Sequence, residues 1–181
     1  RFQGRGEECL RKMKDLGFTQ VEVSPTTGGE RVMDEDAAFT ELAKKLGYTV
    51  FGEIGRKMLE GDSTRIDAET LNVKESISQI RRFFDAGADK VYIEGHVLRR
   101  ILGETASEIL KKEATGTPQL LEIVDAIGQD RLVFECSAMC GRKTRRAMHF
   151  WFIYLFGPDV NIGNVRIEEV GTLEAVRRGL Y

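Results

Sequence analysis

Three glutamates occupy corresponding positions in three similar segments. Glu53, Glu94 and Glu135 each close a short apolar run with β-branched and aromatic residues, at equal intervals of 41 residues. Such runs are typical of buried strands. If helices join these strands into one parallel sheet, the three carboxylates share the carboxyl edge of that sheet. Ligands bind at that edge in α/β proteins, so the spacing predicts a functional site there.

Two cations follow the first of these glutamates. Arg56 and Lys57 come directly after Gly55, where the strand that ends near Glu53 gives way to a polar stretch. A lysine beside another cation holds its proton less tightly and can donate it near neutral pH. Lys57 is therefore a candidate general acid. The alternative is an ordinary surface lysine at the start of a loop.

Apolar periodicity predicts alternating helices and strands along the chain. Helices are expected at 7–16, 36–46, 72–86, 118–127, 142–156 and 173–180, with extra helix in 96–118, and strands at 18–24, 49–54, 90–94, 131–135 and 160–165. This alternation predicts a parallel sheet with right-handed crossovers. A flat doubly wound sheet is possible. However, the chain has no glycine-rich phosphate loop, and a (β/α)₈ barrel fits better.

Composition narrows the function classes. The 181 residues form one domain by their length, and a net charge of -2 gives no reason to expect nucleic-acid or acidic-membrane binding. No membrane-spanning apolar run or signal peptide is visible, so we expect a cytoplasmic protein. Cys9, Cys136 and Cys140 lack the usual CxxC zinc spacing, and we expect them to be free thiols.

Several segments together resemble the phosphosulfolactate synthase family. They run in the family's order and are VEVS at 21–24, GEIGRK at 52–57, GADKVYIEG at 87–95, FGPDVNIGN at 156–164 and LEAVRRGL at 173–180. The resemblance implies a (β/α)₈ TIM-type barrel in which this chain supplies strands four to eight, with strands one to three absent. It also implies a lyase that uses Mg²⁺ to add sulfite to phosphoenolpyruvate, forming phosphosulfolactate on the route to coenzyme M.

The resemblance assigns roles to the strand-end residues. The family's catalytic lysine falls on Lys57, which with Arg56 beside it would protonate the enolate that sulfite addition creates. Glu53, Glu94 and Glu135 would be metal ligands, because Mg²⁺ takes oxygen ligands and stabilises enolate charge. The alternative is that some of these carboxylates pair with lysine or arginine.

Further positions are candidates for binding substrate and its phosphate. They are His96, Asn161, Gly163, Asn164, Arg142 and Lys143. His96 stands where the family has an arginine, and the loops after the last barrel strands commonly hold phosphate. The basic run could neutralise an anion at a helix N-terminus, or could simply be a solvated charge run. Gly163 could equally serve only packing, and His149 is expected to pack within its helix.

The chain departs from the family at three strand ends. Pro25 replaces an aspartate, His96 replaces an arginine, and 136–139 replace an Ala-Pro-Gln-Lys stretch. These positions bear on substrate identity more than on the fold. The second hypothesis is therefore a non-catalytic relative, stress-associated or binding a phosphorylated metabolite or a protein partner.

One helix is apolar almost all round. Residues 150–156 include Trp151 and Tyr154, and such a helix is normally buried on more than one side. Five strands cannot close a barrel with the geometry of eight. We therefore expect this helix to lie at a subunit or segment interface, and the protein to be a homo-oligomer.

Overall fold

The strands form a single parallel sheet. The computed structural model of the chain describes residues 4–24, 30–55, 72–111 and 116–180, without the side chains of 30–32 and 100. The five strands lie side by side in the order of the sequence: β1 (Gln20–Val23), β2 (Thr49–Ile54), β3 (Lys90–Ile93), β4 (Leu132–Glu135) and β5 (Ile162–Gly163). The α/β fold with a parallel sheet is confirmed, and consecutive strand order is the order that a (β/α)₈ barrel uses.

The described residues contain eight α-helices, which connect and flank the strands. They are α1 (Gly6–Asp15), α2 (Glu30–Lys45), α3 (Val73–Asp85), α4 (Gly95–Leu102), α5 (Ala106–Lys111), α6 (Thr117–Ile127), α7 (Arg142–Phe156) and α8 (Val170–Arg177). Short 3₁₀ helices precede β4 and α8, at Gln129–Arg131 and Ile167–Glu169. The extra helix expected in 96–118 is present as α4 and α5. Asn72 caps α3, since its side chain accepts a hydrogen bond from the Glu75 N–H at 3.1 Å.

Some element boundaries differ from the prediction. Helix α2 begins before Asp36, because its apolar face already includes the buried Met33 one turn earlier. The last strand, β5, has two residues instead of the predicted 160–165, since Asn164 adopts a left-handed conformation (φ 54°) that turns the chain. Helix α8 begins at Val170 and ends at Arg177, about one turn earlier than expected at both ends.

Helices cover one face of the sheet. Val50, Val91 and Phe134 are fully buried on this face. The ring of Phe134 stacks on two rings of α7, Phe152 at 5.2 Å and Phe156 at 4.8 Å between centroids. Side chains alternate between the two faces along a strand. Glu53 stands three residues after Val50, and Glu135 one residue after Phe134, so both glutamates belong to the opposite face. The fold thus turns the glutamates away from the helix-packed core.

Helix α7 is covered mostly by its own chain. Trp151 is 8% exposed within the main core and meets the rings of Phe152 and Phe156 edge-on. The core of this chain buries Trp151, and the subunit or segment interface predicted for this helix stays a prediction. Tyr154 is 74% exposed, and its place at an interface stays a prediction.

Two other expectations concern thiols and membranes. The three cysteines are free, as predicted. Among the described helices, none combines the length and the apolar character needed to cross a membrane.

Candidate metal centre

Glu53, Glu94 and Glu135 converge at the carboxyl end of the sheet. Each offers one carboxylate oxygen, and the three oxygens all lie within 4.8 Å of one another. Glu53 is buried at 2% exposure, and the other two are half-buried. The prediction that the three carboxylates share the carboxyl edge of the sheet is confirmed. A cleft shared with Lys57 stays a prediction, because Lys57 lies outside the described residues. Three ionised carboxylates this close repel one another unless cations lie between or beside them.

The start of α4 holds two of these carboxylates. The Gly95 N–H donates to Glu135 Oε2 at 3.1 Å, and the His96 N–H donates to Glu94 Oε1 at 3.5 Å. Glu94 is thereby the N-cap of α4. The partial positive charge of a helix N-terminus favours carboxylates there, and cap bonds satisfy otherwise unpaired N–H groups. Glu53, Glu94 and His96 also take part in further interactions.

The spacing of the cluster fits a divalent cation that prefers oxygen. Mg²⁺ binds oxygens at about 2.0–2.1 Å, so two of its ligand oxygens are at most about 4.2 Å apart. Oxygens within 4.8 Å need only small side-chain rotations to reach that geometry. A hard cation bound by one to three carboxylates, with water or substrate completing its shell, suits this donor set.

Tyr92 lies beside the cluster. It is the register partner of Glu53 across β2 and β3. Burial, and then the negative charges of Glu22, Glu135 and Glu53, raise the pKa of the Tyr92 phenol. A Cβ at Gly163 would lie 2.6 Å from the Tyr92 ring, so this position has room only for glycine. Gly163 thus has the packing role that the sequence left open beside anion binding.

The predicted catalytic pair lies outside the described residues. Arg56 and Lys57 follow Gly55, the last described residue after β2, and Pro25 lies outside as well. Gly55 has a φ of 109° and packs on Glu94, where a Cβ would lie 2.6 Å from the Glu94 Cβ. The chain therefore leaves β2 in a conformation that favours glycine, directly beside the cluster.

Asn161 is not brought to the carboxylates. Its amide donates to the carbonyl oxygens of Asp130 and Leu132 and accepts from Lys90 Nζ at 3.1 Å. These partners stand at the amino ends of β3 and β4, where Asn161 and Lys90 also line a cavity of ≈ 480 Å³. The substrate-binding role predicted for Asn161 has no support from this placement.

The basic run at the start of α7 divides into exposed and buried residues. Arg142 and Lys143 are exposed in the first turn, consistent with either an anion site or a solvated run. Arg145 is fully buried and donates two hydrogen bonds to Glu169, at 2.8 and 2.7 Å. This bidentate bond lowers the pKa of Glu169 to about 2.

Sequence reasoning missed the Arg145–Glu169 pair, although a signal existed. Arg145 stands three, four and seven residues before Met148, His149 and Phe152, which all face the core. That spacing puts Arg145 on the buried face of the helix. His149 is buried as expected for helix packing, and burial lowers the pKa of its imidazole.

Asn164 supports the neighbouring strand end. Its side-chain amide donates to the Cys136 carbonyl at 3.0 Å, and its own carbonyl accepts from Arg145. Cys136 is buried, and burial raises the pKa of its thiol to about 12. The residue after Glu135 therefore has an uncharged thiol and a backbone carbonyl that already accepts hydrogen bonds from Asn164 and Arg145. Asn164 and His96 are both near strand ends, but only His96 adjoins the carboxylates along the chain.

Fold and site together define a class: an α/β chain with consecutive parallel strands and a cluster of three carboxylates at their carboxyl ends. The sequence matches the family model of (2R)-phospho-3-sulfolactate synthase (ComA) over residues 2–181, and the chain belongs to this family. It is 30% identical to the phosphosulfolactate synthase of Methanocaldococcus jannaschii over 178 residues, covering 98% of this chain and 64% of that protein.

A second relative is similar to the same extent. The phosphosulfolactate synthase of Methanothermobacter thermautotrophicus is 28% identical over 174 residues, covering 96% of this chain and 60% of that protein. The chain thus spans less than two thirds of the length of both relatives. The family predicted from the sequence segments is confirmed.

Proposed function

We propose that this chain carries the carboxylate site of a phosphosulfolactate synthase-type lyase, which adds sulfite to phosphoenolpyruvate with Mg²⁺. One observation carries the proposal: oxygens of Glu53, Glu94 and Glu135 lie within 4.8 Å of one another at the carboxyl end of a parallel sheet. Membership of the phosphosulfolactate synthase family supports this choice of reaction. The consecutive strand order supports the barrel as its framework.

The reaction makes one bond and needs one proton. The sulfur of sulfite attacks the methylene carbon of phosphoenolpyruvate, and the electron pair of the double bond moves onto the neighbouring carbon and its carboxylate. That carbon then takes a proton, giving phosphosulfolactate. Mg²⁺ bound at the glutamates would offset the negative charge that develops on the substrate. The chain itself must orient two anions and deliver the proton.

We assign the proton to Lys57, with Arg56 beside it. Only three residues separate Lys57 from Glu53 in the sequence, so Lys57 follows the strand end that carries the first carboxylate. The anionic groups of the substrate would meet His96 in the first turn of α4 and the exposed cations Arg142 and Lys143 on α7. Tyr92, a phenol with a raised pKa, stays protonated and can donate a hydrogen bond.

The test is sulfite-dependent consumption of phosphoenolpyruvate, followed with and without Mg²⁺. The proposal expects consumption only when sulfite and the metal are both present, with phosphosulfolactate as the product. The Glu94→Gln variant should lose activity, because the amide keeps the cap on α4 but removes a charged ligand. A matched control is Glu75→Gln, which changes an exposed glutamate on α3. Equal activity in both variants would contradict the assigned site.

A second function has one observation in its favour. The stretch 136–139 offers no ionised side chain: Cys136 is a buried neutral thiol, and Ser137 is 4% exposed. A non-catalytic relative that binds a phosphorylated metabolite would have such a neutral strand end. The same assay separates the two, because this alternative expects binding of Mg²⁺ and phosphoenolpyruvate but no consumption when sulfite is added.

A further inference from the structure

We propose that Arg145 and Glu169 form a positioning pair that fixes the carboxylate of Glu135, and through it the geometry of the metal centre. The inference rests on the proposed function, since it concerns the same three glutamates. Neither residue belongs to the cluster. They act through two strand-end loops, residues 136–141 after β4 and residues 164–166 after β5.

All three guanidinium nitrogens of Arg145 donate hydrogen bonds, either to Glu169 or to the carbonyls of these loops. Nε and Nη2 donate to the Glu169 carboxylate, while Nη1 donates to the carbonyls of Cys136 and Ser137, at 2.9 Å each. Nη2 also donates to the carbonyl of Asn164. A fully buried charge is tolerated only when its bonding groups are satisfied. The planar fork of arginine, with fixed donor directions, can hold three backbone carbonyls and a carboxylate at once.

Glu169 extends the same junction to the other loop. Its Oε2 accepts from the Arg166 N–H at 3.0 Å, and the Arg166 guanidinium donates to the Ala138 carbonyl at 3.1 Å. The Asn164 side chain adds a bond to Cys136 O. The loops after β4 and β5 are therefore fastened to each other around one ion pair.

Gly95 connects this junction to the metal centre. A Cβ at Gly95 would lie 2.5 Å from Ser137 N and 2.7 Å from Ser137 Cα, so the backbone of α4 rests directly on the loop that Arg145 holds. Gly95 is also the N–H donor to Glu135. If the loop moves, the contact surface of Gly95 and the position of its N–H move as well.

The geometry distinguishes positioning from simple stabilisation of the core. The pair joins α7 to the 3₁₀ helix before α8, and in addition the Nη1 donor of Arg145 binds the two carbonyls that directly follow Glu135. Groups that orient ligands in this indirect way typically change metal affinity or activity by about 10- to 100-fold when altered. We expect an effect in that range here.

The experiment compares two variants with a matched control. Arg145→Lys keeps the charge but loses the fork, and Glu169→Gln keeps the shape but loses the charge. The control is Asp89→Asn, at the amino end of the sheet. The Asp89 carboxylate forms an ion pair with Lys44 and accepts a hydrogen bond from the Val50 N–H, and the substitution removes the ion pair. All three are measured in the full chain, with folding followed by circular dichroism.

Two readouts are used: the Mg²⁺ dissociation constant by calorimetry, and the Gly95 amide by nuclear magnetic resonance. The proposal expects Mg²⁺ binding about 10- to 100-fold weaker and faster exchange of the Gly95 amide in folded Arg145→Lys and Glu169→Gln. It expects neither change in Asp89→Asn. Folded variants with wild-type values of both readouts would overturn it, as would failure of both variants, but not the control, to fold.

The design separates this inference from the proposed function. If the wild-type chain binds no Mg²⁺, the metal proposal fails, and the Gly95 amide alone decides whether the pair positions Glu135. If Mg²⁺ binds normally in the wild type and in both folded variants, and the Gly95 amide is unchanged, only the positioning proposal fails.

Discussion

The carboxylate of Glu135, at the end of β4, accepts a hydrogen bond of 3.1 Å from the N–H of Gly95, the first residue of α4. The bond crosses from one βα unit to its neighbour, since α4 follows β3. The preceding residue, Glu94, is the cap of the same helix. The cluster is therefore fixed by helix-start donors as well as by the sheet, and changes at the start of α4 should reach the site.

Gly95→Ala tests this relationship. The added Cβ would meet Ser137 N at 2.5 Å, a backbone atom that cannot rotate away. We expect a loss of about 1–3 kcal/mol in the free energy of unfolding, as is usual for overpacking. The measurement is urea denaturation.

Gly171→Ala is the matched control for that variant. Apart from its chain neighbours and the backbone of its own helix, no described residue has a heavy atom within 4 Å of the Cβ position at Gly171, in the first turn of α8. Alanine in a helix is favoured over glycine by roughly 0.5–1 kcal/mol, so the control should be neutral or more stable. Similar destabilisation in both variants would show that contact with Ser137 is not the cause.

Lys57→Ala should abolish turnover and leave the fold intact. Loss of a general acid typically lowers the rate by about 10²–10⁴-fold. The measurement is kcat for sulfite-dependent phosphoenolpyruvate consumption near neutral pH. Lys74→Ala, at an exposed lysine of α3, is the control and should keep normal activity. A Lys57→Ala enzyme with near-normal kcat would rule out Lys57 as the proton donor.

Acid should weaken the fold through Glu169. Its pKa is about 2 in the folded chain, because Arg145 binds it, against 4.5 as the ordinary value. The stabilisation is therefore complete above about pH 4.5 and is lost as the pH falls toward 2. Each tenfold change in proton affinity is worth about 1.4 kcal/mol, so about 3 kcal/mol is at stake.

The free energy of unfolding, measured by denaturation between pH 5 and about 2.5, tests this effect. In Glu169→Gln we expect it to fall less steeply as the pH is lowered. Glu8→Gln is the control: hydrogen bonds from Arg5 and Lys12 lower the pKa of Glu8 to about 2 as well, but its side chain is 48% exposed. Exposed pairs contribute little, so this variant should follow the wild type. An unchanged pH dependence in Glu169→Gln would refute the buried-pair interpretation.

Cysteine reactivity should differ sharply between sites. Burial raises the pKa of the Cys136 thiol to about 12, and Cys140 is 6% exposed, whereas Cys9 is half-buried on α1. Thiolates are the reactive form, so alkylation of the folded chain at pH 8 should label Cys9 and spare the other two. Mass spectrometry of peptides reads this out, with the denatured chain as the control. Early labelling of Cys136 would contradict its burial.

The sequence was sufficient to predict the glutamate cluster, because strand ends and the two-residue alternation of strands are local signals. Glu53, Glu94 and Glu135 follow runs of the right length, and a parallel sheet brings their ends together. The substrate-binding role of Asn161 was predicted from its place in the last strand, but Asn161 directly precedes β5 and so lies at the amino end, opposite the carboxylates.

The Arg145–Glu169 pair illustrates a second limit. Charge in the run 142–146 indicated either an anion site or a solvated run, yet Arg145 lies in the core, as the apolar spacing around it indicates. Two local signals disagreed, and the tertiary position of backbone carbonyls decided between them. Those carbonyls belong to loops, whose conformations depend on contacts distant in sequence. The burial of Trp151 also depends on tertiary contacts, with Phe152, Phe156 and the surrounding core.

The most direct test of the central claim is Mn²⁺ or Mg²⁺ binding to the chain, measured at equilibrium by calorimetry. If Glu53, Glu94 and Glu135 form the metal centre, the wild type binds one divalent ion per chain. Glu94→Gln, which keeps the cap on α4, should bind at least about 10-fold more weakly, while Glu75→Gln should match the wild type. Wild-type affinity in folded Glu94→Gln, or no binding by the wild type, would contradict the metal centre.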